Sequence, residues 1–127
     1  MTFASKALGD RGEQIAREYL EGKGYKILDV NFRNKIGELD IVAKEAGCVV
    51  FVEVKTRQSL QCGQPHESVH QLKIRKIGQL AQSYLKFKFN SVEVYARFDV
   101  VSILMEEGCP SKIEHIKNAF DLSPRLY

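Results

Sequence analysis

The run Gly37–Arg57, GELDIVAKEAGCVVFVEVKTR, constrains the fold of this chain more than any other. Two segments rich in β-branched and aliphatic residues, 37–44 and 48–56, flank Glu45-Ala46-Gly47, a hairpin signal. Side chains alternate faces along a strand. Leu39, Ile41 and Ala43 therefore form one row, and Glu38, Asp40, Val42 and Lys44 the other. In the second segment Val50, Val52 and Val54 oppose Val49, Phe51, Glu53, Lys55 and Arg57. The two apolar rows are expected to share a face, because a slip of one residue would mix them. An even loop centred on Ala46-Gly47 sets Asp40 opposite Glu53 and Glu38 opposite Lys55. A three-residue loop with Gly47 in the left-handed region would break that parity unless a bulge restored it; the row pattern favours the even loop.

Opposed side chains sit with Cβ atoms about 5 Å apart, so two facing carboxylates repel. A divalent cation compensates directly, and hard oxygen ligands suit magnesium. Lys55 leaves the strand on the same face as Glu53, where it balances charge and can hold or polarise a water. Residues 5–22 read as a helix with an apolar arc of Leu8, Ile15, Ala16, Tyr19 and Leu20. Glu13 lies about 20° past Leu20 on the helical wheel, the one acid of this helix that borders the packed face. Asp10, Glu18 and Glu21 point away. The bland reading of a D…ExK pattern is a set of solvated charges on a half-exposed hairpin. The order of elements and the placement of Glu13 favour a metal site.

The remaining elements are a strand at 25–33, a polar loop at 57–67, and a helix at 68–88. Ser68 reads as that helix's cap, and Val69, Ile77, Leu80, Ala81 and Tyr84 face inward. A strand at 92–104 and an extended segment at 112–120 follow. The order is α-β-β-β-α-β with a tail, which predicts an α/β fold with a central mixed sheet flanked by helices. The 127 residues suit one domain, and a hydrophobic content of 44% supports a real core. The net charge of +3 is compatible with an anionic partner. The N-terminus lacks the apolar core of a signal peptide, and no apolar run is long enough for a bilayer. Cys48, Cys62 and Cys109 are too few and too scattered for a disulfide framework. A cytoplasmic protein with no membrane partner is expected.

The blocks LGDRGEQIAREYLEGKGYKIL, NFRNKIGELDIVA, VFVEVKTR, RFDVV and IEHIKNAF together resemble the YraN family of uncharacterised bacterial proteins. That family sits within the PD-(D/E)XK, restriction-endonuclease-like nuclease superfamily, which includes archaeal Holliday junction resolvases. The resemblance runs along nearly the whole chain and implies one nuclease-like domain over 1–127. It implies metal ligands at Asp40 and Glu53, aided by the Val54 carbonyl, with Glu13 completing the shell or binding a second ion and Lys55 acting on the water or the developing charge. Leu39 stands where the superfamily name has proline; proline is not a ligand. Gln79, Gln82 and Tyr84 do not match the glutamine–tyrosine spacing of some subgroups.

The function implied is Mg2+- or Mn2+-dependent phosphodiester hydrolysis of nucleic acid, DNA ahead of RNA, with branched DNA among the candidate substrates. A cutter of branched DNA would act as a homodimer, since paired cuts need two sites. Arg57, Lys73, Arg75 and Lys76 are the candidate phosphate contacts, with a solvated helix face as the competing reading. The runner-up function is a catalytically silent nucleic-acid-binding protein on the same fold; a protein-interaction module is a third. HESVH, 66–70, matches a zinc-protease pattern with His66 and His70 as ligands, Glu67 as base and His115 or a distant acid as third ligand. It straddles a loop and a helix start, so solvated histidines are the better reading. Arg97 and Asp99 share a face of their strand and read as a structural ion pair.

Overall fold

A computed structural model describes residues 3–58, 71–90 and 94–120. Helix α1 (Phe3–Gly22) is followed by strands β1 (Lys26–Arg33), β2 (Glu38–Glu45) and β3 (Cys48–Arg57). Helix α2 (Gln71–Phe89), β4 (Ala96–Glu106) and β5 (Cys109–Phe120) complete the order. The expected α-β-β-β-α-β order with an extended tail is therefore observed. Ser68 and Val69 lie outside the described residues.

The five strands form one mixed sheet in chain order. All neighbours are antiparallel except β3 and β4, whose parallel pairing follows the α2 crossover. Such a crossover needs an intervening helix, which leaves α2 covering one face. Ala46 and Gly47 both adopt positive φ, 49° and 80°. They form a two-residue turn of the kind that matches strand twist. The even loop is the observed one: Ile41 pairs with Val52, Ala43 with Val50 and Glu45 with Cys48. A second two-residue turn at Glu107-Gly108, φ 52° and 78°, pairs Glu106 with Cys109. For that reason β5 begins at Cys109, earlier than the residue 112 its sequence suggests. Pro110 is tolerated there because β5 is an edge strand.

Two cores sit on the two faces. Ile15, Ala16 and Leu20 of α1 pack on Ile41, Ala43, Val50, Val52, Val101 and Ile103. On the other face Ile77, Leu80, Ala81 and Tyr84 of α2 pack on Val42, Val49, Phe51 and Phe98. The expected apolar rows hold near the turn. They fail at Leu39, which packs on the α2 side with Val42 and not with Ile41 and Ala43. The facing strand is irregular at the same level, between the Val30–Ile41 and Phe32–Leu39 pairs, where Asn31 adopts φ 53°. Asparagine enters the left-handed region at little cost, and one such residue interrupts the alternation. Phe32, opposite Leu39, then joins the α2 core.

Asp99 is fully buried. Arg97 Nε donates to its Oδ1 at 3.0 Å, and the Asn118 amide donates to the same oxygen at 3.0 Å. His115 Nε2 lies 2.7 Å from Oδ2. The expected Arg97–Asp99 ion pair thus belongs to a buried network that also reaches Tyr25 and Glu45 through Arg97. His115 is committed to Asp99 in this arrangement, while His66, Glu67 and His70 lie outside the described residues. Cys48 and Cys109 are free thiols. Among the described residues no helix is long and apolar enough to cross a membrane.

Candidate active site

Where the β2–β3 ladder ends, beyond Ile41 and Val52, the strands leave a cleft of about 410 Å³ beneath α1. Glu13, Asp40, Glu53, Val54, Lys55 and Thr56 line it. Gly12 allows α1 to come this close to β3. A Cβ at Gly12 would stand 1.9 Å from Thr56 Oγ1 and 2.9 Å from Thr56 Cβ. That close approach, which only glycine permits, carries the neighbouring Glu13 to the rim of the sheet.

Asp40 occupies the centre. Its Oδ2 accepts a hydrogen bond from the Val54 amide at 2.9 Å. Carboxylate oxygens of Glu13, Glu38 and Asp40 all lie within 4.8 Å of one another. Glu53 Oε1 is 3.6 Å from Lys55 Nζ. Burial, with the nearby Glu53 charge second, pushes the Asp40 carboxyl up to about 7. Burial also raises Glu13, and the charge of Glu38 adds to it. These shifts are the cost of gathering carboxylates in a partly desolvated cleft. The donor set is all oxygen and strongly anionic, which fits a hard divalent cation.

The four acidic and basic residues expected at the site, Glu13, Asp40, Glu53 and Lys55, are therefore brought together. Val54 is at the site as well, and in the described geometry it is its amide that contacts Asp40. Glu38 was expected opposite Lys55; it is ion-paired with Arg33 and joins the acidic cluster instead. Asn31 was not expected at all. With its amide oriented by its neighbours, its nitrogen donates to Glu13 Oε1 at 3.0 Å and Glu38 Oε1 at 3.2 Å. It bridges two carboxylates that would otherwise repel. The available signal was an asparagine inside an otherwise β-favourable run, a residue depleted from strands.

Of the basic candidates, Arg75 and Lys76 lie away from this cluster. Arg57 ends β3 and is half-buried, while Arg75 and Lys76 are exposed on α2. That helix packs on the opposite face of the sheet from α1. Lys73 lies in α2, and its side chain falls outside the described residues.

A mixed five-stranded α/β sheet with an acidic cleft at its rim, one lysine beside the acids, defines the class of this protein. The chain belongs to the uncharacterised protein family UPF0102, the YraN family, whose model matches residues 12–103. A UPF0102 protein of Trichlorobacter lovleyi is 49% identical over 120 residues, covering 94% of each chain. One of Desulforamulus reducens is 43% identical over 121 residues, covering 94% of this chain and 99% of its own. Among solved structures, a chain described as SSO0001 is 18% identical with a TM-score of 0.40. That match covers 94% of this chain and 55% of the other, and at that level it carries no functional implication.

Proposed function

We propose that this protein is a metal-dependent nuclease of PD-(D/E)XK type that hydrolyses phosphodiester bonds, DNA ahead of RNA. The observation that carries the reading is the convergence of Glu13, Asp40, Glu53 and Lys55 on one cleft, with Glu38 beside them. Asp40 and Glu53 would hold the ion, with Glu13, the Val54 carbonyl and the newly placed Glu38 as further oxygen donors. Bound magnesium or manganese supplies charge neutralisation and Lewis-acid polarisation of a phosphoryl oxygen.

The protein groups do the rest. Asn31 fixes the orientation of Glu13 and Glu38, as outer hydrogen bonds do for ligating carboxylates. Lys55, held near Glu53, offers an ammonium to the charge that develops on the phosphate or its attacking water. The Val54 amide locks Asp40 in place, so the acid spends no conformational freedom on binding.

The test is a cleavage screen over single-stranded, duplex and branched substrates with magnesium or manganese, run beside Asp40→Asn. Metal-dependent cleavage by the wild type and none by the variant is expected. Retained nucleic-acid binding, with no cleavage of any substrate and no thermal response to metal, would replace the nuclease with a silent binding module.

A further inference from the structure

The positive charge of this chain is concentrated in one element. Helix α2 holds Lys73, Arg75, Lys76, Lys86 and Lys88 and no acidic residue. The whole chain has 19 basic and 16 acidic residues. The remainder therefore carries 14 basic against 16 acidic and is net negative. An acid-free helix on an otherwise slightly acidic body is a field aimed at an anion.

The same helix presents an aromatic ring that the fold does not cover. Phe87 is 75% exposed. Phe32 braces it, ring centroids 6.1 Å apart, and Phe32 in turn stands edge-on to the buried Tyr84 at 5.2 Å. The ring is thus supported from beneath and open above. Lys76, Ser83 and Phe87 fall along one line of the helix, at spacings of seven and four residues.

The connection from β1 to β2 lies against this line. Asn34 Nδ2 donates to Ser83 Oγ at 3.1 Å, and a Cβ at Gly37 would stand 3.4 Å from Leu80. That connection exposes Lys35 and Ile36. It starts at Arg33, which is ion-paired with Glu38, and Glu38 belongs to the acidic cluster of the cleft. A strip of Arg33 and Lys35 therefore runs from Glu38 of the acidic cluster along the connection that packs on α2, the helix that carries Lys76 and Phe87. The acids along it are held in pairs, Glu38 by Arg33 and Asp29 by Lys88 at 3.3 Å.

We propose that this strip binds an unpaired stretch of nucleic acid, with Phe87 stacking on a base and Lys35 and Lys76 meeting phosphates. A duplex keeps its base faces within its own stack, so a protruding ring finds a partner only in a base that has none. The lysines track the backbone without reading sequence. The destination of the strand at the cleft rests on the nuclease reading; the binding itself does not.

The experiment measures fluorescence anisotropy of a labelled single-stranded oligothymidylate and of a blunt duplex of equal length, in EDTA so that nothing is cleaved. Phe87→Ala should weaken single-strand binding about tenfold, the scale of one lost stack, and duplex binding less than about twofold. Phe87→Trp should restore it. Lys76→Gln should lower the slope of log affinity against log salt by about 0.7, one phosphate contact. Equal loss on both substrates, no loss, or no single-strand binding by the wild type would overturn the proposal. So would conversion of a dimer to a monomer by Phe87→Ala in sedimentation, which would assign the ring to a second copy of the chain. Cleavage is scored separately with magnesium. Phe87-dependent binding without cleavage removes the nuclease reading alone, and cleavage without Phe87 dependence removes the strip alone.

Discussion

Replacing Asp40 by asparagine should stabilise the metal-free protein, and only above mildly acidic pH. The carboxyl sits at about 7 against an ordinary 3.8, first through burial and then through the charge of Glu53. The folded state thus binds the proton more tightly than the unfolded state. The penalty is absent below the unfolded value, where both states are protonated. It grows as pH rises through the interval from about 4 to about 7, and persists in full above it. At about 1.4 kcal/mol per pH unit the interval corresponds to ~4 kcal/mol. Water entering the open cleft screens part of this, so ~2 kcal/mol is expected. Asparagine removes the charge, keeps an oxygen to accept the Val54 amide, and adds donors that face the remaining carboxylates. Urea unfolding in EDTA should show the variant more stable than wild type by ~2 kcal/mol near pH 8, with the difference shrinking to nearly nothing near pH 4. With magnesium at about a hundredfold over its Kd the wild type should recover ~2.7 kcal/mol, and the variant should not. A variant that is equally or less stable at pH 8, or a difference that does not change with pH, would refute the electrostatic account of the cleft.

Three further outcomes follow from the same geometry. Lys55→Ala should reduce cleavage by at least about a hundredfold, the scale of one lost charge-stabilising donor, while the metal-dependent rise in melting temperature survives; loss of both would make Lys55 part of the ion's binding site. Asn31→Gly keeps the left-handed backbone and deletes the bridging amide, so metal affinity should fall about tenfold in calorimetric titration with manganese, with the fold unchanged by circular dichroism. Gly12→Ala places a methyl against Thr56, 1.9 Å from Oγ1, and should cost about 1–3 kcal/mol in urea unfolding as α1 is forced outward; a stabilised variant would mean the helix is free to shift.

The hairpin at 37–57 was legible in the sequence because a strand has a period of two and a two-residue turn has one parity. Together they favoured the register of the Ile41–Val52 and Ala43–Val50 pairs, whereas Asp40 and Glu53 lie beyond that ladder and meet under α1 where the alternation fails. The amphipathic arcs of α1 and α2 were legible for the same kind of reason, a period of 3.6. Tertiary structure alone decided the rest. The alternation breaks at Asn31, whose positive φ is a local choice stabilised by long-range partners on α1 and β2, so the side taken by Leu39 and the arrival of Glu38 could not be read from a row. The depth at which α1 docks depends on Gly12 meeting Thr56, two positions far apart in the chain and unremarkable in either local pattern. The strip from Arg33 to Phe87 joins β1 to α2 across the sheet, through contacts such as Asn34 with Ser83. Periodicity determines which face of an element is buried; which neighbour covers it, and what that neighbour brings to the site, is set only when the whole chain packs.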